Sequence, residues 1–459
     1  MDEQAVAALR RLRAAFQAGR TLPLATRAAQ LAALERLVTE EEARISGALA
    51  RDLGKPAVEG LITDVLSVRR EIVLQRRNLA RWSRTRRVRL PVALRPGRAE
   101  LRHEPLGVVL VVAPWNYPVN LVLVPLAAAL AAGNTVVVKP SELAPATARL
   151  LAELIGRYLD PAIVAVVNGG PEVTEALIDG GVDHVLFTGS TAVGRKVMAR
   201  AAATLTPVTL ELGGKSPAYV DASADLGVAA TRIAWGKFLN AGQTCIAPDH
   251  VLVHREVAGA FVERLVASVR ALYGEEPRES PDYGRIVNDG HLARLEALLA
   301  TSRATIACGG EVDHATRYLA PTVLVEPAAD APLQHEEIFG PLLPVIAVED
   351  AAAAAARIAA APVPLCAYVF TKERRVADRF IAATRSGSVC VNTTLEHFAT
   401  GKLPFGGLGE SGSGRYHGRY GFETFSHLRP VLRKANHPKV GLAYPPYRRR
   451  TVALLRRLL

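Results

Sequence analysis

The chain has 459 residues, of which 49% are apolar and 22% charged, a composition typical of a globular enzyme with two or three domains. Its formal charge is +12, and much of the excess lies in the arginine-rich stretch 69–90. Because Trp82 is the one aromatic residue among those arginines, the stretch favours a solvated, salt-bridged surface. We therefore expect no nucleic-acid partner.

The cysteines stand at no spacing that is typical of zinc sites or CxxC motifs. There are four of them: Cys245, Cys308, Cys366 and Cys390. The first residues are charged and helix-like, and they lack the apolar run of a signal peptide. These features predict a reduced, cytoplasmic protein without a metal site.

The first part of the chain changes its pattern twice. Apolar residues recur at helical spacing over residues 1–85, which predicts a run of helices. Residues 87–105 alternate instead and carry Pro91, Pro96 and Gly97, so they predict two extended arms around a turn. The uncharged run 105–138 resembles a membrane span, but three prolines interrupt it. We predict a buried strand, an alanine-rich helix and a second buried strand there.

Strands and helices alternate through residue 210, and a second region of the same kind begins near Thr209. This alternation predicts an α/β fold with a doubly wound parallel sheet. In such sheets ligands bind beyond the carboxyl ends of the strands. Polar residues that follow predicted strands are therefore the first candidates for a site.

Two strand ends carry residues suited to a nucleotide. Gly189 and Gly194 lie in a predicted strand–turn–helix unit, where backbone N–H groups and the helix dipole favour a phosphate. A plain glycine-bearing turn would explain the same residues equally well. Lys139 and Glu142 follow another strand and could bind ribose hydroxyls, or they could belong to a solvated turn with a helix N-cap at Ser141.

Three further residues are candidates for catalysis. Asn116 follows a predicted strand and could point its amide into the same crevice. Glu211 lies between two leucines at a strand end, where burial would raise its pKa and make it a base near neutrality; a surface carboxylate is the alternative. Cys245 lies among small and polar residues that would leave its thiol accessible as a nucleophile, although such cysteines are more often core residues.

Seven segments occur in the order found in aldehyde dehydrogenases, and the sequence resembles that family over nearly its whole length. They are PWNYP (114–118), KPSE (139–142), FTGSTAVG (187–194), ELGGKSP (211–217), GQTC (242–245), EEIFGP (336–341) and LPFGGLGESGSGRYHGRYGFETFSH (403–427). The likeness is strongest to the class 3 branch, which includes enzymes of fatty, aromatic and coniferyl aldehydes.

The resemblance implies NAD(P)-dependent oxidation of an aldehyde to the acid through a cysteine thiohemiacetal and a thioester. Cys245 would be the nucleophile, and Glu211 the general base for the water that hydrolyses the thioester. Asn116 and the backbone N–H of Cys245 would form the oxyanion hole. Glu396 is a less expected residue near the mouth of the substrate site, and it leaves the identity of the preferred aldehyde undetermined.

The resemblance also implies residues around NAD or NADP. They are Lys139 and Glu142 at the adenine ribose, Gly189 and Gly194 at the pyrophosphate, and Glu337 with Phe339 at the nicotinamide ribose.

The family resemblance implies a three-part organisation. An NAD(P)-binding domain of Rossmann type would span 1–85 and 106–210, and a catalytic domain 211–415. An oligomerisation arm from 86–105 and 416–440 would pair with a second subunit in a homodimer.

The basic, apolar tail 441–459 admits two interpretations. It could make weak peripheral contact with an anionic membrane, or it could pack on the partner subunit or fray. Two other functions also stay open for the chain as a whole: a non-catalytic paralogue with a binding or structural role, and a thiol esterase.

Overall fold

The computed structural model describes residues 3–91, 94–434 and 436. The tail 441–459 and the last residues of the expected arm lie outside this range. The helices are α1 (Glu3–Gln17), α2 (Leu24–Glu40), α3 (Glu42–Leu53), α4 (Ala57–Gly60), α5 (Ser67–Trp82), α6 (Asn120–Ala132), α7 (Pro145–Tyr158), α8 (Pro171–Asp179), α9 (Thr191–Ala202), α10 (Leu226–Phe238), α11 (Ala258–Tyr273), α12 (Asp289–Ala300), α13 (Ala351–Ala359), α14 (Arg374–Ala383) and α15 (Gly418–Thr424).

The strands are β1 (Arg86–Val88), β2 (Gly97–Pro105), β3 (Val108–Val112), β4 (Thr135–Lys139), β5 (Val164–Val166), β6 (His184–Thr188), β7 (Val208–Glu211), β8 (Pro217–Val220), β9 (His250–His254), β10 (Thr305–Cys308), β11 (Val312–Asp313), β12 (Tyr318–Leu319), β13 (Thr322–Val325), β14 (Leu342–Val348), β15 (Cys366–Phe370), β16 (Ser388–Val391), β17 (Gly412–Ser413) and β18 (Ser426–Lys434).

A six-stranded sheet of order β17-β7-β6-β3-β4-β5 forms the first half of the fold, and its strands are parallel except at β17. Strands β3 and β4 are buried along their whole length. Alternate valines of these strands pack against α6 on one face and α1 on the other. Coverage of both faces explains the continuous apolar runs and confirms the predicted doubly wound α/β fold.

A seven-stranded sheet of order β10-β13-β14-β9-β8-β15-β16 follows, and it is parallel except for β10. Strands β1, β2 and β18 form a separate antiparallel sheet, in which Pro105 lies opposite Ser426 and Gly97 opposite Lys434. The extended arms predicted for 87–105 are therefore present.

Helix α6 accounts for the uncharged run that resembles a membrane span. All of its 13 residues are buried, Pro125 included, and it packs against α2, α5, α15 and the first sheet. Over the described ranges, no helix has the length and apolarity that crossing a bilayer requires.

Candidate active site

Cys245 lies in the loop between α10 and β9, and its side chain is half-buried. The loop turns sharply just before it, where Asn240 and Ala241 adopt positive φ values of 54° and 51°. Gly242 has φ 75°, and a Cβ there would collide with the carbonyl of Gly340. Glycine is thus required at this position, and the nucleophile loop packs directly against the segment that carries Glu337 and Phe339.

Asn116 is held against this loop. Its Nδ2 donates to the backbone carbonyl of Gln243 over 3.0 Å, and Asn240 Nδ2 donates to the carbonyl of Asn116 over 2.9 Å. Asn116 is 2% exposed. These bonds place its amide beside the chain that leads to Cys245, as an oxyanion donor would require.

A buried ion pair supports Asn116 from behind. Lys55 Nζ donates to the carbonyl of Asn116 over 3.0 Å and to Asp64 Oδ2 over 2.9 Å, and both charged side chains are fully buried. Asp64 Oδ1 accepts from the backbone N–H groups of Val119 and Asn120 at the start of α6. Lys55 and Asp64 were not predicted from the sequence, because nothing in their local pattern distinguishes them from surface residues. Gln243 lies in the GQTC segment, but that segment alone does not indicate its hydrogen bond with Asn116.

Glu211 ends β7 and lies opposite Gly412 of β17. It is 2% exposed, and neither carboxylate oxygen has a hydrogen-bond partner within the described part of the chain. Burial raises its pKa well above the ordinary value. The surface alternative for Glu211 is therefore wrong. Since buried carboxylates are normally paired, the two free oxygens point to a functional role.

The carboxylates of Glu337 and Glu211 lie within electrostatic reach of the Cys245 thiol. Burial, helped by these two carboxylates, raises the pKa of Cys245 to about 12, while the N–H groups of Cys245 and Ile246 oppose the shift. Burial also raises the pKa of Glu337 to about 8, and a Cβ on Gly213 would collide with its carboxylate. Three predicted site residues thus lie close enough to influence one another electrostatically.

Lys139 is buried at the end of β4, and its Nζ contacts the carboxylate of the exposed Glu142. Its carbonyl accepts from the N–H of Ala113, which links it to the loop of Asn116. The alternative of a solvated turn is wrong for Lys139. Ser141 is not an N-cap either, because α7 begins at Pro145 and the Ser141 hydroxyl accepts from Leu143 N instead.

The turn between β6 and α9 carries Gly189. Its N–H donates to the carbonyl of Glu211 over 3.0 Å, and Ser190 caps α9 through Val193 N. The hydroxyl of Thr188 is buried and lacks a partner among the residues described. Gly194 is buried on α9, where a Cβ would come within 2.6 Å of Leu212. The helix N-terminus, the small residues and the unpartnered Thr188 hydroxyl fit a phosphate at this helix end.

Two predicted residues lie at the edges of this arrangement. Phe339 has a positive φ of 48° and packs edge-on against Trp115, with ring centroids 5.3 Å apart. Glu396 is exposed on the turn Glu396–Ala399.

Comparisons with known proteins agree with this arrangement. The aldehyde dehydrogenase family model matches residues 1–431. Aldehyde dehydrogenase family 3 member A2 of Mus musculus is 47% identical over 439 residues, which are 95% of this chain and 90% of the mouse protein. The dimeric NADP-preferring aldehyde dehydrogenase of Rattus norvegicus is 46% identical over 95% of this chain and 97% of its own length.

Solved structures give the same result. The substrate-bound AldH of Staphylococcus aureus superposes with a TM-score of 0.96 at 41% identity, over 98% of this chain and 99% of that one. Matching structures also include NAD-dependent and NAD-bound aldehyde dehydrogenases. The chain therefore belongs to the aldehyde dehydrogenase family, with family 3 members among its relatives, and is an enzyme that uses NAD or NADP.

Proposed function

We propose that the enzyme oxidises an aliphatic or aromatic aldehyde to its carboxylic acid through a covalent intermediate on Cys245. One observation carries this proposal: both oxygens of Glu211 are buried without a hydrogen-bond partner in the described chain, within electrostatic reach of the Cys245 thiol. A carboxylate in that position is free to accept a proton from water. A reaction of the Cys245 thiol that includes no hydrolysis step would not require this carboxylate.

In the first step, the sulfur of Cys245 bonds to the aldehyde carbon while the carbonyl oxygen becomes an oxyanion. The thiol proton passes to solvent water as this bond forms, because a pKa of about 12 leaves almost no thiolate at neutral pH. The Asn116 amide and the Cys245 N–H would hold the oxyanion. Each preorganised donor is worth ~3 kcal/mol in the transition state.

Lys139 and Glu142 would hold the adenine ribose, Gly189 and Gly194 the pyrophosphate, and Glu337 with Phe339 the nicotinamide ribose. The buried Lys139 and the Thr188 hydroxyl just before α9, which lacks a partner among the described residues, fit such a ligand. When bound, NAD(P)⁺ would accept the hydride that leaves the carbon bonded to sulfur, and a thioester would remain on Cys245. Glu211 then takes a proton from water as the water attacks that thioester, which frees the acid and the sulfur.

The test is pre-steady-state absorbance of NAD(P)H with Glu211→Gln. We expect a burst close to one equivalent followed by a near-stop, since acylation proceeds and hydrolysis does not. Cys245→Ala should remove burst and turnover together, by ~10³-fold or more. Steady turnover of Glu211→Gln without a burst would assign the base elsewhere. Folded enzyme that reduces no cofactor with any aldehyde, yet cleaves esters, would favour the esterase.

We further infer a homodimer joined through the arm of β1, β2 and β18. Strand β18 forms one edge of that sheet and is largely exposed, and unpaired edges invite pairing with another chain. The domain division at 86–105, 210 and 416 follows the same family pattern. Light scattering should give twice the mass of the chain. A monomer at micromolar concentration would refute the dimer.

We infer a cytoplasmic location from the cysteine pattern.

The basic tail would give at most weak membrane contact, which co-sedimentation with anionic vesicles tests directly. If the tail binds, the full chain pellets and a chain ending at Tyr447 does not. Equal amounts of both forms in the supernatant would rule out a membrane role for the tail.

A further inference from the structure

Two thiols and an imidazole converge outside the reaction pocket. We call Cys366, Cys390 and His397 the thiol cluster. The Sγ of Cys390 lies 3.2 Å from Nδ1 of His397, and the potential ligand atoms of all three residues lie within 4.8 Å of one another. Cys366 and Cys390 are buried and His397 is half-buried. The mechanism proposed above uses none of these groups.

Strand pairing builds the cluster. Strands β15 and β16 are parallel neighbours, with Cys366 opposite Ser388 and Tyr368 opposite Cys390. The two cysteines are therefore diagonal neighbours on one face of the sheet. His397 arrives from the turn after β16, and its ring stacks on Phe405 with centroids 6.0 Å apart. The 24-residue separation in sequence hides this convergence, so the spacing showed no metal motif.

The geometry suits a bridging ion better than a disulfide. Diagonal neighbours on paired strands have Cα atoms about 7–8 Å apart, whereas disulfides need at most about 6.8 Å. Around a tetrahedral zinc ion, bonds of about 2.3 Å to sulfur and 2.0 Å to nitrogen put the ligand atoms about 3.5–3.8 Å apart. The largest separation between ligand atoms in the thiol cluster is at most 4.8 Å. It must therefore shorten by about 1 Å to match zinc, and rotation of the side chains is enough for this.

The chemistry of the thiol cluster fits a metal ion as well as its geometry does. Two cysteine sulfurs and one imidazole nitrogen converge on one point, and cysteine sulfur and imidazole nitrogen are the ligands that zinc prefers.

We propose that the thiol cluster binds a borderline-soft divalent cation of the zinc class, with water in the fourth position. The site is distinct from the nucleophile but adjacent to it. Tyr368, the strand partner of Cys390, donates its hydroxyl to the carbonyl of Ile246 over 2.5 Å, one residue after Cys245. The cation would thus bind beside the reaction pocket without using the catalytic thiol.

The test uses the full chain with Cys245→Ala, which removes the competing nucleophile and makes the result independent of the proposed reaction. Titration with Co²⁺ should give thiolate-to-cobalt charge-transfer absorption that saturates at one equivalent and disappears when Zn²⁺ is added. Cys390→Ala and His397→Gln should each weaken binding at least tenfold. Zn²⁺ should also raise the thermal midpoint of the parent chain, because it binds the folded form.

The matched control is Cys308→Ala, which removes a half-buried cysteine of β10 outside the cluster and should leave binding unchanged. His397→Gln changes a half-buried turn residue, so it remains informative if a cysteine variant does not fold. Full charge-transfer absorption in folded Cys390→Ala or His397→Gln would overturn the proposal. Its absence from the parent chain, or its loss in Cys308→Ala, would do so as well.

Discussion

The side-chain amide of Asn116 donates a hydrogen bond to the backbone carbonyl of Gln243 over 3.0 Å. The expected oxyanion donor therefore also supports the loop that carries Cys245. Lys55 and Asn240 hold the carbonyl of the same asparagine at 3.0 and 2.9 Å. The donor is thus fixed from three directions. Preorganisation of this kind is what makes a hydrogen-bond donor effective in a transition state.

Asn116→Ala should lower kcat/KM for aldehydes by about 10²–10³-fold, because one oxyanion donor is lost. Cofactor affinity, measured by fluorescence titration, should change little. Asn78→Ala is the control, since Asn78 bonds to a carbonyl one turn back on α5, away from the pocket. Equal loss of activity in both variants would mean that Asn116 acts only on stability.

Alkylation of Cys245 by iodoacetamide should accelerate about tenfold per pH unit between about pH 7 and pH 10, without a plateau. A thiol whose pKa is about 12 gains thiolate in that proportion over the whole range. Mass spectrometry of the modified peptide measures the rate. A plateau near pH 8 would show an ordinary or activated thiol.

Glu337→Gln should speed this alkylation at about pH 9 and leave it unchanged at about pH 6. Glu337 has a pKa of about 8, so its charge opposes the thiolate only above that pH. The neighbouring exposed Glu336 provides the control as Glu336→Gln. Equal effects of the two substitutions would remove the specific role of Glu337.

Glu142→Gln should raise the ratio of kcat/KM with NADP to that with NAD. Its carboxylate contacts Lys139 at the end of β4, where it would accept hydrogen bonds from a ribose but repel a 2′-phosphate. Steady-state kinetics with both cofactors measures the ratio. An unchanged ratio would place the adenine ribose elsewhere.

The alternation of strands and helices was sufficient to predict the α/β fold, because buried strands such as β3 and β4 form apolar runs in the sequence. Segment order indicated the family, which the comparisons confirmed. The roles of Cys245, Glu211, Asn116 and the cofactor residues stay predictions. The structure adds that Glu211 and Glu337 lie within electrostatic reach of the thiol.

Tertiary pairing explains what the sequence did not indicate. Lys55 and Asp64 look like surface charges along a helix, and only packing shows that they are fully buried together. Cys366 and Cys390 became neighbours only through the register of β15 and β16. Local periodicity contains no information on either contact.

The last prediction concerns Glu59, a buried carboxylate near the Lys55–Asp64 pair whose Oε1 has no partner in the chain as described. Burial raises its pKa from 4.5 to about 7, while Lys55 and the N–H of Asn240 oppose the shift. Between pH 4.5 and about pH 7, Glu59 is protonated to a greater extent in the folded chain than in the unfolded chain. The free energy of unfolding must therefore fall as pH rises from about 4.5 to about 7.

Glu59→Gln keeps the shape of the side chain and removes the fall in the free energy of unfolding that ionisation of Glu59 causes. The variant should gain stability relative to the parent as pH rises through that window, reaching about 3 kcal/mol above pH 7. Denaturant unfolding at about pH 5 and pH 8 measures the difference, with the exposed Glu42→Gln as control. If the Gln variant loses stability more steeply than the parent over the same window, then the ionised carboxylate is a net-stabilising partner of Lys55 and the assigned pKa shift is wrong.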